Sequence, residues 1–94
     1  MLFRSIDAAD GGALDGIAVD VQGHIWCGYG STGRVPSAGL DGVRIVEASG
    51  LALGHIHLPE RCANLCFGGA KNNRLFMASS HSLYALYVNV QGAA

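Results

Sequence analysis

The chain is 94 residues long, half of them hydrophobic and only 14% charged, with a formal net charge of −1. That length allows one small domain with a modest buried fraction. The scattered cations Arg4, Arg34, Arg44, Arg61, Lys71 and Arg74 form no basic stripe for nucleic acid, and no apolar run approaches the ~20 residues that cross a bilayer.

Charge is sparse beside the roughly 25% of an average globular domain, which fits a piece of a larger body better than a free-standing unit. Met1-Leu2-Phe3-Arg4, followed by Ser5 and Asp7, lacks the apolar core of a secretory leader. Three cysteines is an odd number and argues against a disulfide framework. Cys62 and Cys66 on one strand would stand ~13 Å apart, beyond the ~7 Å a disulfide tolerates. The expectation is a cytoplasmic protein with reduced thiols.

Helical periodicity is weak, and fourteen glycines punctuate short β-rich runs, so the fold class is all-β. Leu2–Ile6 could give a first strand. Ile17–Val19 and Ile25–Cys27 flank Asp20-Val21-Gln22-Gly23 and predict a hairpin. Tyr29 to Leu40 reads as a long loop. Val43–Val46 and Leu51–Leu58 predict a second hairpin around Glu47-Ala48-Ser49-Gly50. These four strands make one propeller blade, at about residues 13–58. Pro59-Glu60 interrupts the pattern. Ala63–Phe67, Leu75–Ala78 and Leu83–Val88 then supply three strands of a partial blade, at about 63–90, and Gln91–Ala94 is expected to fray.

A repeat supports this reading. Ala13-Leu14-Asp15-Gly16-Ile17-Ala18-Val19-Asp20, closed by His24-Ile25-Trp26-Cys27, returns as Ala63-Asn64-Leu65-Cys66-Phe67-Gly68-Gly69, closed by Arg74-Leu75-Phe76-Met77. A period of about 40–50 residues built of short strands is typical of propellers. Asp15 and Asn64 would then occupy neighbouring points around a central channel. The plainer alternative is two unrelated hairpins in a small sandwich.

Several strings carry a family likeness: Leu14-Asp15-Gly16-Ile17-Ala18-Val19-Asp20, Gly23-His24-Ile25-Trp26 and Asp41-Gly42-Val43-Arg44-Ile45. The most specific runs from His57-Leu58-Pro59-Glu60-Arg61 through Cys62-Ala63-Asn64-Leu65-Cys66-Phe67-Gly68-Gly69, followed by Asn73-Arg74-Leu75-Phe76 and Ser82-Leu83-Tyr84-Ala85-Leu86. In this order they resemble the C-terminal third of the SMP-30/gluconolactonase (regucalcin-like) family. The resemblance implies a six-bladed propeller that hydrolyses sugar lactones with one divalent metal ion (Ca, Zn, Mg or Mn), held by a Glu, an Asn and the Asp of a Pro-Asp-Gly motif. Asp15 falls on that last position, although Leu14 stands where the motif has proline. The Glu and Asn ligands would lie upstream of Met1.

Asp15 is therefore the candidate metal ligand and catalytic base. A carboxylate suits a hard cation, and such an ion would polarise a lactone carbonyl and acidify a bound water. The bland alternative is a turn aspartate satisfying backbone N–H groups. Asn64 is the candidate substrate-binding residue, through an amide that could meet a sugar hydroxyl; a structural turn asparagine explains it as well. His55 and His57 share one strand face ~6.6 Å apart and could share a metal, or simply face solvent. Cys27, Cys62 and Cys66 read as small buried apolar residues, and Trp26 as inter-blade packing. Gly28-Tyr29-Gly30 has neither the third glycine nor the helix of a dinucleotide site.

The sequence thus predicts two blades of a lactonase-type propeller, incomplete as a single chain and lacking most of the family's site. A non-catalytic module that self-associates is the alternative. In it, three copies of the two blades complete a six-bladed homo-oligomeric ring.

Overall fold

In a computed structural model, the structure describes residues 12–31 and 40–93. The expected strand at Leu2–Ile6 lies outside the described residues. Within them the chain forms β1 (Gly12–Val19), β2 (Ile25–Ser31), β3 (Gly42–Val46), β4 (Ala52–His57), β5 (Cys62–Gly68), β6 (Arg74–Ser79) and β7 (Leu83–Tyr87). All pairings are antiparallel between chain neighbours, giving a four-stranded sheet, β1-β2-β3-β4, and a three-stranded sheet, β5-β6-β7. No helix among the described residues is long and apolar enough to cross a membrane.

The seven strands fall where alternating apolar runs predict them. Two boundaries differ most, because β1 begins at Gly12, before the expected Ile17, and β2 runs past Cys27. β2 continues through Tyr29, Gly30 and Ser31, because Gly12–Leu14 of β1 pair with them. The expected loop is shorter by those residues, and 32–39 lie outside the described ones.

Period-two alternation gives each sheet one face for the other. Trp26 and Val43 of the first sheet meet Cys62, Leu65, Leu75 and Met77 of the second. The Trp26 ring stands edge-on to Phe67, with centroids 5.4 Å apart, so Trp26 does pack between sheets. Each such side chain contributes about 1.5–3 kcal/mol by leaving water. Ile25, Cys27 and Val46 form a smaller buried cluster on the other face of the first sheet.

Asp20 closes the β1–β2 turn from inside. Its Oδ1 accepts from the Gln22 and His24 amides at 2.8 and 3.1 Å, and its Oδ2 accepts from the Trp26 indole at 2.9 Å. Only 2% of the residue is exposed, which three hydrogen bonds make tolerable for a carboxylate.

The tail corrects its expectation. Residues 91–93 are a clasp between the sheets, not a frayed end. Val21 N donates to Gln91 O at 2.9 Å, Gly92 N to Asn72 O at 2.8 Å and Ala93 N to Val19 O at 2.9 Å. Asn72 Nδ2 also donates to Gly92 O at 2.9 Å. Main-chain groups do this work, so no side-chain pattern announces it.

Candidate functional site

Asp15 lies within β1 at an irregularity. Leu14 pairs with Tyr29 and Ile17 with Cys27, so Asp15 and Gly16 together oppose Gly28. Two residues against one is a β-bulge, which re-aims a side chain relative to the regular pleat. β5 has its own register shift between Cys62 and Asn64. Asp15 therefore belongs to a strand rather than to the turn that the plainer reading gave it.

The bulged starts of β1 and β5 meet. A Cβ on Gly16 would collide with the Asn64 side chain, one on Gly28 would come within 2.6 Å of the Cys62 carbonyl oxygen, and one on Gly30 would collide with the Arg61 stem. Three glycines thus let the start of β5 approach the first sheet more closely than side chains permit. This explains why glycines flank Tyr29. The approach brings Arg61 Nη2 to 4.0 Å from Asp15 Oδ2, both side chains remaining partly exposed. Surface pairs of this kind contribute little stability; its effect is on where the carboxylate sits.

Asn64 is exposed, and its Oδ1 accepts from the Leu65 amide at 2.9 Å. Its Nδ2 is the group left to face a ligand. The two residues singled out by the repeat both lie at the sheet junction, Asn64 against Gly16 and Asp15 facing Arg61, but they differ in how much of each side chain is available.

The segment entering β5 is fastened on its other side too. Glu60 Oε1 accepts from the His81 backbone N and from Nδ1, each at 3.1 Å, and Oε2 accepts from the Tyr84 hydroxyl at 3.2 Å. Burial pushes the Glu60 carboxyl up, but these hydrogen bonds and the His81 ring outweigh it and hold the group below its ordinary range. Glu60 grips the β6–β7 turn while Arg61 reaches β1. Sequence reasoning missed both roles; the only local signal was an adjacent acid and base after Pro59.

The cysteines divide. Cys27, Cys62 and Cys66 are all free, as expected from spacing, but Cys66 is exposed rather than buried. It faces away from the junction, alternating with Leu65, whose side chain enters the core. Burial pushes the Cys27 thiol up to about 11 against the opposing pull of Arg44. Burial likewise raises Cys62; its bond to the Asn64 carbonyl opposes this, and the Asp15 carboxylate adds to it. Neither is a thiolate near neutrality, so neither is a nucleophile.

His55 and His57 do share a face, with ring centroids 4.6 Å apart. Arg44 Nε donates to His55 Nδ1 at 3.4 Å, and His55 Nε2 lies 3.4 Å from the Asp41 carbonyl oxygen. Among the described residues no three His, Cys, Asp or Glu side chains come together to hold a metal. That applies to Asp15 as well. On their own, a carboxylate facing a guanidinium and an amide whose oxygen is engaged supply too few donors for a divalent ion, so any such site needs donors from elsewhere.

A family model described as the SMP-30/gluconolactonase/LRE-like region matches residues 2–81. The chain belongs to this family. Among SMP-30/gluconolactonase relatives, regucalcin of Danio rerio is 33% identical over 73 residues, covering 77% of this chain and 22% of regucalcin. An X-ray structure of a protein designated a gluconolactonase aligns with a TM-score of 0.76 and 32% identity, over 92% of this chain and 26% of that one. The all-β, two-sheet architecture matches that gluconolactonase fold over the shared part. The chain spans 22% and 26% of the lengths of these two family members.

Proposed function

We propose that this chain forms one wall of a sugar-lactone hydrolase site. Its two sheets are a blade and a partial blade of a six-bladed propeller. Asp15 is the catalytic carboxylate and one ligand of a divalent ion whose other donors come from outside these residues. Asn64 Nδ2 meets a substrate hydroxyl. The observation that carries this reading is the sheet junction itself. Two bulged strand starts converge there, and the Asp15 carboxylate stands exposed with the Arg61 guanidinium 4.0 Å away. Family membership supplies the reaction class.

The test is acid release from gluconolactone above the spontaneous rate, with Ca²⁺, Zn²⁺, Mg²⁺ or Mn²⁺ added to the purified chain. The chain alone, without the other donors, should give little or none; joined to the remaining blades of a family member, it should give a metal-dependent excess that Asp15→Ala removes. No Asp15-sensitive excess in the joined protein rejects the catalytic role of Asp15.

A second reading, self-association of the sheets, is favoured by one observation. β7 is the outermost strand of its sheet, and its Leu83 and Tyr87 are 70% and 69% exposed. Unpartnered edges and apolar patches are sites of association. A monomer by light scattering at micromolar concentration would end it.

A further inference from the structure

We propose that the β5–β6 turn and the adjoining ends of β6 and β7 form a binding site for a small oxyanion, a carboxylate or a phosphate, built on Arg74 and Lys71. It is independent of the lactonase reading and lies at the opposite end of the sheet from the junction at Asp15.

The argument starts in the sequence. All seven acidic residues lie at or before Glu60, while Arg61, Lys71 and Arg74 follow it. The second sheet and its turns therefore carry cations with no carboxylate side chain of their own.

The fold then arranges two of these cations around a cleft. Arg74 pairs with Tyr87 across the β6–β7 ladder, and Phe76 follows on the same face. The Arg74 guanidinium lies 5.3 Å from the Phe76 ring centroid and 5.2 Å from that of Tyr87. Two rings thus hold it in place by cation–π attraction. A cleft of about 460 Å³ opens beside it, lined by Gly69, Ala70, Lys71, Asn73, Arg74 and Tyr87.

The other described arginines show what is missing here. Arg44 also stacks on an aromatic ring, 4.1 Å from the centroid of Tyr29, but it donates to the Tyr29 hydroxyl and to His55. Arg61 faces Asp15. Among the described residues Arg74 has ring contacts only, and neither it nor Lys71 enters an ion pair. A guanidinium oriented by its faces keeps its in-plane N–H donors for a partner, and that fork matches two oxygens of a carboxylate or phosphate. The exposed Tyr87 ring beside it offers a surface on which the body of an organic anion can stack.

The test is an NMR titration of the intact chain, following the Arg74 Nε–Hε signal and the Tyr87 ring protons. Inorganic phosphate is one arm and sodium gluconate the other, with ionic strength held constant by chloride. Saturable shifts at both groups are expected in at least one arm, and the arm that saturates at lower concentration identifies the preferred oxyanion. Arg74→Gln should weaken binding about tenfold or more, since a charged, forked donor is lost. Lys71→Gln sits on an exposed turn and should weaken it several-fold without disturbing the ring contacts. Asp15→Ala should leave both titrations unchanged, which separates this site from the lactone site. Shifts that grow linearly and match those in chloride alone would overturn the proposal. So would saturable binding left intact by both Arg74→Gln and Lys71→Gln.

Discussion

The two hairpin turns that face the clasp have the same length but are closed by different means. Val19 pairs with Ile25 across residues 20–24, and Gly68 with Arg74 across residues 69–73. In the first, one buried carboxylate supplies the side-chain acceptors: Asp20 takes the Gln22 and His24 amides and the Trp26 indole. In the second, the position of Asp20 is held by Gly69, at φ 86°, and Asn72 adopts φ 53°. There the turn is satisfied from outside. Gly92 N donates to Asn72 O, Asn72 Nδ2 to Gly92 O, and Gln91 Nε2 to Lys71 O. The side-chain closure of the first turn comes from within it, although Val21 N also reaches Gln91 O, whereas that of the second depends on chain that arrives later. Equal geometry does not require equal chemistry, provided each backbone group finds a partner.

That contrast can be broken from either side. The largest effect is expected from Asp20→Ala, which strands the Trp26 indole and two amides at once. It should cost about 3 kcal/mol in urea unfolding. A cost below about 1 kcal/mol would show that the first turn is not closed by its carboxylate. Gly92→Ala attacks the second turn through its clasp. A Cβ there would lie 2.5 Å from Phe67 Cβ, so the clasp must lift or Phe67 must move, at about 2 kcal/mol. Amide exchange should accelerate at Val21 and Ala93 and stay unchanged at Gln22, whose partner is Asp20. Exchange rising equally at all three would mean that the Asp20 bonds within the first turn also depend on the clasp.

The smallest effect sharpens the comparison at the opposite end of the sheets, where Glu60 joins the β5 entry to the β6–β7 turn. Its folded carboxyl titrates below the ordinary 4.5. The unfolded chain therefore binds the proton more readily. The stabilisation is fully present above the ordinary value and is lost as pH falls through the lower folded value. The unfolding midpoint of the native chain should fall more steeply between about pH 5 and about pH 3 than that of Glu60→Gln. Parallel acid limbs would remove Glu60 from the junction's account.

The strands were legible because alternation is local, and because the repeat imposes it twice. The register of that repeat was less so. Matching strings set Arg74 opposite His24, whereas the ladders set Arg74 opposite Ile25 and Leu75 opposite Trp26, since equal turns fix the offset at 49 residues. Asp15 and Asn64 emerged near one another because each sits near the start of the strand that opens its sheet. Arg61 did not emerge: its partner is distant in sequence and its path needs three glycines on two other strands. Asp20 and Trp26 were each read correctly as turn and packing residues, but the bond between them depends on how the turn folds back. Cys66 was misassigned because residue type alone carries no information about which face of a strand it takes.

The clasp has a consequence for the order of assembly. Each sheet is built from hairpins whose partners are near in sequence, and such pieces form within microseconds once synthesised. The bond from Ala93 to Val19 joins the most distant pair of described backbone groups in hydrogen-bond contact. Closing so long a loop is entropically costly, so it follows the local pairing rather than leading it. On the ribosome the segments of both sheets are complete before the segment that ties them together has been made.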